Sequence, residues 1–187
     1  AAAQPARRVY RVGVLNDAWA ANHPTVEGLK AGLRELGLEE GRDVKFDIRF
    51  TEGKLQAMPA AATALAKAGV DLIVSSQYAA TQAAKQATTQ IPIVFTLVSD
   101  PVAAGIVANL ARPEGNVTGV TSLQAELVGK RLEILKILVP NVRRVWIVHH
   151  SGDPSAAPMI SQALSAGPLL KIDMVPRGVT TPVDLAL

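Results

Sequence analysis

Residues 71–105 read DLIVSSQYAATQAAKQATTQIPIVFTLVSDPVAAG. Within this stretch, residues 71–74 and 93–98 are apolar runs rich in valine and isoleucine, as expected of parallel strands buried on both faces. The alanine-rich segment 78–89 between them predicts a helix, which ends before Pro92 because proline disfavours helical geometry in its predecessor. The stretch therefore predicts a strand, a helix and a second strand in the middle of a parallel sheet.

The same alternation of strands and helices continues on both sides of this unit. The predicted elements are strands at 9–15, 43–50 and 116–121, and helices at 24–36, 55–67, 103–111 and 125–139. Apolar and charged residues alternate in 43–50, so this strand has one wet face and lies near a sheet edge. The connections are short. The pattern indicates an α/β fold with a doubly wound parallel sheet.

A second lobe is predicted to follow Pro140 and Asn141. In the helix before them, four apolar residues are expected to face a core: Leu127, Ile134, Leu135 and Leu138. The second lobe is predicted to hold strands at 143–150 and 170–175, a helix at 155–165 and another helix starting at Thr181 and Pro182. The predicted domains are a leader at 1–8, a first lobe at 9–122, a connecting helix at 123–140 and an incomplete second lobe at 141–187.

Composition excludes several classes of protein. Hydrophobic residues make up 49% of the 187 residues and charged residues 19%, which is typical of a globular domain. The net charge of +3 is scattered without a basic patch, so no nucleic-acid partner is indicated. The absence of cysteine excludes disulfides and thiolate zinc sites. The small-residue start AAAQPARR is typical of a leader left after signal-peptide removal, and an ordinary chain terminus is an equal alternative.

The sequence shows no catalytic or cofactor motif. Glycine-rich dinucleotide and nucleotide-phosphate motifs are missing, so no cofactor is predicted. His149 and His150 are adjacent on a predicted strand and point to opposite faces, which argues against a shared metal ion. Asp100 has no partner carboxylate or histidine in the pattern to make it a general base. We therefore expect a protein that is not an enzyme.

Short polar side chains and two aromatic rings cluster where the predicted strands end. Because the carboxyl ends of parallel strands share one edge of a sheet, these residues are predicted to bind a small solute there. The candidate ligand-binding residues are Asn16, Asp17, Trp19, Ser76, Gln77, Tyr78, Ser99, Asp100 and Thr121. Stacking of a planar ligand suits Trp19 and Tyr78. The alternative for Trp19 is packing on its own loop, and for the hydroxyl residues and Asp100 it is turn formation or helix capping.

Residues 91–122 and the segment ELVGKRLEILKILVP after them carry a resemblance to a known family. SDP, a short helix and then RPEGNVTG are specific to it, and the similarity extends back to YRVGVL. The chain resembles ABC-transporter substrate-binding proteins of the tryptophan/tyrosine type, whose fold is that of the type I periplasmic binding proteins. The resemblance implies two Rossmann-like lobes that close on an amino-acid-like solute, often aromatic, or another small organic solute.

The resemblance also implies partners, a location and roles for the site residues. The chain would be exported to the periplasm, would perform no catalysis and would deliver its solute to an ABC permease in the inner membrane. The start of the helix near Tyr78 would take a ligand carboxylate and Asp100 an amine, although the family more often has a small hydroxyl residue in place of Tyr78. The second lobe departs from the family because it is incomplete, which predicts association of two copies through exposed edges.

Three alternatives remain open at this point. The first is the effector-binding core of a transcription regulator, which shares the two-lobed fold and would need a helix-turn-helix before residue 9. The second is a small Rossmann-like enzyme, which would need a perturbed acid or base in the cleft. The third is a truncated dimeric remnant that binds no solute.

Overall fold

The structure is a computed structural model that describes residues 8–18, 20–113, 115–121, 124–153, 156–181 and 184. Its strands are β1 Tyr10–Asn16, β2 Val44–Phe50, β3 Leu72–Ser76, β4 Ile93–Val98, β5 Val117–Thr121, β6 Arg144–His150 and β7 Asp173–Val179. Its α-helices are α1 Pro24–Glu35, α2 Met58–Lys67, α3 Gln77–Ala87, α4 Val128–Leu138 and α5 Ala156–Leu169. Strands and helices alternate along most of the chain, so the predicted α/β class is confirmed.

The first five strands form one parallel sheet in the order β2-β1-β3-β4-β5. β1 pairs in parallel with both β2 and β3, and β3 pairs in parallel with β4. At the edge, the N–H of Ile93 donates to the carbonyl of Asn116 (2.7 Å), and the Thr121 hydroxyl donates to the carbonyl of Val98 (2.9 Å). β5 therefore runs parallel to β4. This strand order is one of the two common doubly wound arrangements.

The edge position of β2 follows from its sequence. Val44 is buried, whereas the alternate residues Lys45 and Arg49 are exposed, and Arg49 donates to Oδ1 of Asp47 (2.8 Å). Charged side chains on an edge strand discourage pairing with a second chain. The prediction of an edge strand with one wet face is confirmed.

Helix α1 begins and ends as its sequence predicts. Nδ1 of His23 accepts a hydrogen bond from the N–H of Thr25 (3.3 Å), and Pro24 occupies the first turn, where a missing N–H costs nothing. The helix ends just before Gly37, which has φ +79°, a conformation that glycine adopts without strain.

The chain divides into two compact units. The first unit contains the described residues within 1–97 and 111–120, and the second those within 98–110 and 121–187. In the first unit, valines of β1, β2 and β3 pack with Val26 of α1 in one buried cluster. In the second unit, β6 and β7 pair in parallel, and Leu132 of α4 packs with Ala163 of α5 and Met174 of β7.

Several predictions fall wholly or partly outside the described residues. These are the leader, of which only Arg8 is described, Trp19, and the helix predicted from Thr181 and Pro182. None of the helices in the described parts of the chain is long and apolar enough to cross a membrane.

The prediction of a helix at 103–111 is wrong. Residues 101–105 form turns instead, in which the N–H of Ala104 donates to the carbonyl of Asp100 (3.0 Å) and that of Ile106 to the carbonyl of Pro101 (2.8 Å). Gly105 has φ +67°, a left-handed conformation that ends the turn before a second helical turn can form. The glycine therefore outweighs the helix propensity of the neighbouring alanines.

The core face of α4 also differs from the prediction. The helix begins at Val128 rather than at residue 125, and Leu132 is its buried residue. Leu135 packs partly against the core, as expected, but Leu127, Ile134 and Leu138 are 48%, 47% and 73% exposed. The helix carries apolar residues on more than one face, so periodicity could not identify the buried one. Leu132 of α4 belongs to the buried core of the second unit, and the connecting role of the segment 123–140 stays a prediction.

The start of β3 depends on Asp71. The N–H of Arg11 donates to Oδ2 of Asp71 (2.8 Å), and this hydrogen bond, with the nearby Arg8 guanidinium, holds the pKa of Asp71 below its ordinary value. A carboxyl with a lowered folded-state pKa stabilises the protein above its unfolded pKa and loses this effect as the pH falls through the folded value. We expect Asp71→Asn to lower the free energy of unfolding at pH 7, and the difference from wild type to shrink at pH 3.

Urea unfolding at the two pH values checks this expectation. Glu133→Gln is the control, because Glu133 pairs with Lys130 on the exposed surface (2.8 Å), where ion pairs contribute little. An equal loss of stability at both pH values in Asp71→Asn would contradict the assigned role of the carboxylate.

Candidate ligand site at the carboxyl ends of the strands

The strand order creates a crevice between β1 and β3. The chain leaves β1 toward α1, which leads to β2 at one edge, and leaves β3 toward α3, which leads to β4 on the other side. Because the two connections diverge, the carboxyl ends of β1 and β3 flank a gap, and ligands of open α/β sheets bind at such a switch point. Asn16 ends β1 and is followed by Asp17, and Ser76 ends β3 and is followed by Gln77.

Asn16 is a buried amide with one end unpaired. Its side chain is only 1% exposed. Oδ1 accepts a hydrogen bond from the N–H of Ala18 (3.0 Å), which fixes the orientation of the amide. Nδ2, the donor end, has no hydrogen-bond partner among the described residues. Since buried polar groups in folded proteins are nearly always paired, this donor calls for a partner that the described residues do not supply.

Ser76 lies beside Asn16, and its side chain is likewise buried without a hydrogen-bond partner among the described residues. The register pairs Leu15 with Ser75, so Asn16 and Ser76 follow as neighbours on adjacent strands. Ser76 is 3% exposed and occupies the cap position of α3, yet its hydroxyl makes no capping bond and has no partner among the described residues. A serine at this position normally bonds to a backbone N–H of the first turn. The first-turn N–H groups of α3 therefore donate no hydrogen bond to the cap side chain. They lie at the N-terminus of the helix, where the helix dipole favours an anion.

Gln77 connects the two strand ends. Its Nε2 donates to Oδ1 of Asp17 (3.1 Å), which links the start of α3 to the loop after β1. Gln77 has φ +70°, an uncommon conformation for a residue other than glycine, and such backbone strain concentrates at functional sites. Tyr78 follows it and is half-buried. The helix begins at Gln77, one residue before the predicted start.

Ser75 provides a contrast within the same strand. Its hydroxyl lies 2.9 Å from Oγ1 of Thr81, and Thr81 in turn donates to the carbonyl of Gln77 (2.8 Å). Both residues are fully buried and fully paired. Burial in β3 therefore does not by itself leave a serine hydroxyl without a partner.

A third unpaired polar group lies at the end of β2 and was not predicted. Thr51 is 6% exposed and its hydroxyl has no partner among the described residues. In the sequence a threonine between a strand and a glycine-containing turn indicates only a turn. Burial and the absence of a partner depend on tertiary structure, so no sequence signal distinguished it.

The second unit holds the other predicted residues around a cavity of about 380 Å³. The lining residues are Ser99, Asp100, Pro101, Leu110, Thr121, Ala125, Glu126, Pro158, Ser161 and Gln162. Most of these side chains are small or polar, and Asp100 and Glu126 are acidic. The structure thus brings Ser99, Asp100 and Thr121 together at one cavity.

Two of these cavity residues also stabilise local backbone. Oδ1 of Asp100 accepts hydrogen bonds from the N–H groups of Val102 (3.1 Å) and Ala103 (2.9 Å), so it caps the turn that follows. The Thr121 hydroxyl lies within hydrogen-bonding distance of the carbonyl oxygens of Val98 (2.9 Å) and Ser99 (3.0 Å). These bonds fix the loop after β4 and show how its side chains are positioned.

The described residues contain no cluster of three or more histidine, cysteine or acidic side chains able to hold a metal ion. Alternation along β6 makes His150 exposed and leaves His149 half-buried.

The chain is similar to known proteins in both sequence and fold. A family model described as "ABC transporter substrate binding protein" matches residues 18–186. This chain belongs to that family. The resemblance found in the sequence is confirmed, and so is the fold class that it implied.

Relatives of this substrate-binding family differ in their similarity to the chain. A tyrosine-binding protein from Clostridioides difficile (strain R20291) is 27% identical over 167 residues, covering 87% of this chain and 48% of that protein. A conserved domain protein from Vibrio cholerae matches with a TM-score of 0.87 and 30% identity, covering 95% of this chain and 60% of the other. An ABC domain in complex with L-Trp from Streptococcus pneumonia has a TM-score of 0.83 and 25% identity, covering 96% and 60%. The chain thus spans about half to three fifths of these relatives.

Proposed function

We propose that this chain is the solute-binding component of an ABC-type importer and that it binds a small amino-acid-like solute at the carboxyl ends of β1 and β3. The observation that carries the proposal is the pair of buried unpaired groups, Nδ2 of Asn16 and the hydroxyl of Ser76, beside the N-terminus of α3. Leaving such groups unpaired costs stability, and a bound solute would offset that cost. Family membership supports the role in transport.

A carboxylate is the ligand group that suits this position. Its oxygens can accept hydrogen bonds from the Asn16 amide, the Ser76 hydroxyl and the N–H groups at the start of α3, where the helix dipole favours negative charge. Asp100, in the second unit, is proposed to take the amine. The other predicted ligand contacts remain part of the proposal: Asp17, Trp19, Gln77, Tyr78, Ser99 and Thr121.

An aromatic amino acid is the proposed solute. The support comes from two relatives, one named a tyrosine-binding protein and one solved with L-Trp. In keeping with the family, we propose that the protein is exported, acts in the periplasm without catalysis or a cofactor, and delivers its solute to an inner-membrane permease. Association of two copies through the second unit stays a prediction.

Calorimetric titration of the 187-residue chain with the twenty common amino acids and two analogues tests the proposal. L-Tyrosine and L-tryptophan are the principal probes, tyramine lacks the carboxylate, and 3-(4-hydroxyphenyl)propionate lacks the amine. We expect one amino acid to bind, and at a hundred times its Kd to stabilise the fold by about 2.7 kcal/mol. Both truncated probes should bind more weakly, because each loses one charged contact. Failure of every amino acid in a panel of the twenty common ones would overturn the amino-acid proposal.

A further inference from the structure

Thr51 is a buried residue whose hydroxyl bonds to none of the described residues. It directly follows β2, is 6% exposed, and has no partner for Oγ1 among the described residues. Its methyl group would satisfy burial equally well in a valine, which has nearly the same shape. A hydroxyl kept at such a position lowers the stability of the free protein unless something binds to it.

Backbone hydrogen bonds place Thr51 next to Asn16, at the carboxyl ends of the strands. Phe50, the residue before Thr51, is the register partner of Asn16. The next two residues attach this turn to the loop after β1, since Glu52 N–H donates to the carbonyl of Ala18 (3.0 Å) and Gly53 N–H to the carbonyl of Asp17 (2.8 Å). Ala18 is also the residue that orients the Asn16 amide. The ends of β2 and β1 are therefore joined directly at the predicted ligand site.

Thr81 shows that an unpaired buried threonine is not ordinary in this unit. It is as inaccessible as Thr51, but its hydroxyl bonds both to Ser75 (2.9 Å) and to the carbonyl of Gln77 (2.8 Å). Three polar atoms at the carboxyl ends of β2, β1 and β3 have no partner among the described residues: Oγ1 of Thr51, Nδ2 of Asn16 and the Ser76 hydroxyl. Thr51 directly follows β2, whereas Asn16 and Ser76 are the last residues of β1 and β3.

We propose that Thr51 is a further ligand-contacting residue, whose hydroxyl bonds to a polar group of the solute on the β2 side of the site. This inference rests on the proposed function, because it assigns a third contact to the same site. The three groups can all donate a hydrogen bond, so the part of the solute that meets them is rich in acceptors, as a carboxylate or carbonyl oxygen is. Thr51 then determines specificity at a position from which sequence patterns gave no signal.

Stability of the ligand-free chain gives the first test. We expect Thr51→Val to raise the midpoint of urea unfolding, because it removes an unpaired buried hydroxyl without changing the shape of the side chain. Thr81→Val is the matched control and should lower the midpoint, because it leaves the Ser75 hydroxyl without its partner. A fall in the midpoint for Thr51→Val would show that the hydroxyl is paired inside the free protein, and would overturn the inference whether or not a solute is known.

Affinity gives the second test, with L-tyrosine and L-tryptophan as probes. For the probe that binds wild type, we expect Thr51→Val to weaken binding by about tenfold, the loss of one hydrogen bond, and Thr51→Ser to restore most of it. Thr63→Val is the control and should leave the affinity unchanged, since Thr63 is exposed on α2 and bonds to the carbonyl of Pro59 (2.9 Å).

The outcomes separate this inference from the proposed function. If wild type binds a probe and Thr51→Val binds it equally well, the Thr51 contact is wrong and the proposed function stands. If Thr51→Val is more stable but binds more weakly, and Thr51→Ser binds nearly as wild type, the inference is supported. If wild type binds neither these probes nor any other common amino acid, the proposed function fails and the Thr51 contact fails with it.

Discussion

Gly119→Ala is expected to destabilise the first unit by about 3 kcal/mol, at the upper end of the cost of overpacking. Gly119 lies in β5 directly against β4, and a Cβ at this position would overlap the backbone oxygen and the ring of Phe95. Backbone oxygen cannot move aside as a flexible side chain can, so the two strands would have to separate. Urea unfolding measures the loss, and the folded fraction at low denaturant should fall with it.

A second glycine in the same unit serves as the control for Gly119→Ala. Gly28 lies within α1, and a Cβ there would meet nothing within 4 Å. Gly28→Ala should therefore raise stability by about 0.5–1 kcal/mol through helix propensity. If Gly119→Ala were as stable as wild type, β5 could not pair with β4 as closely as the structure has it.

Ser76→Ala is expected to weaken solute binding by roughly 10- to 150-fold, the loss of a hydrogen bond to a charged group of about 1.5–3 kcal/mol. The ligand-free protein should become more stable at the same time, because the substitution removes a buried hydroxyl that has no partner among the described residues. Calorimetric titration with the best-binding amino acid and urea unfolding without it measure the two effects.

The neighbouring serine makes the test specific. Ser75 is also buried, but its hydroxyl is paired with Thr81, so Ser75→Ala should lower the stability of the free protein. A loss of both stability and affinity in Ser76→Ala would indicate that this hydroxyl serves the fold and would contradict its assignment to the ligand.

Much of the fold was predictable because local signals and burial agree. The runs at β3 and β4 are mainly apolar and the edge strand β2 alternates, so each sequence pattern matches its place in the sheet. Prediction failed where one residue or one neighbour decided the outcome. Gly105 ended the helix predicted at 103–111, and the packing of α5 and β7 selected Leu132 over Ile134 and Leu138.

Sequence patterns indicated where the candidate site lies, but not which of its polar groups are paired. Polar residues after parallel strands indicated Asn16, Ser76 and Asp100, and topology brings strand ends to one edge. Whether each hydroxyl is paired depends on contacts between residues far apart in sequence. Thus Ser75 and Ser76 look alike in the sequence, and only the folded structure shows that the Ser75 hydroxyl is bonded to Thr81. Thr51 was missed for the same reason.

Parallel pairing also affects how fast this chain folds. β1 pairs with β2 at Tyr10 and Val44, and with β3 at Val12 and Leu72, so its first partners lie far along the chain. Contacts of this kind close long loops before any pairing energy is gained, which slows folding relative to proteins with local contacts. β1 therefore has no strand partner until the residues of β2 or β3 have been synthesised, and the sheet can close only when these distant segments meet.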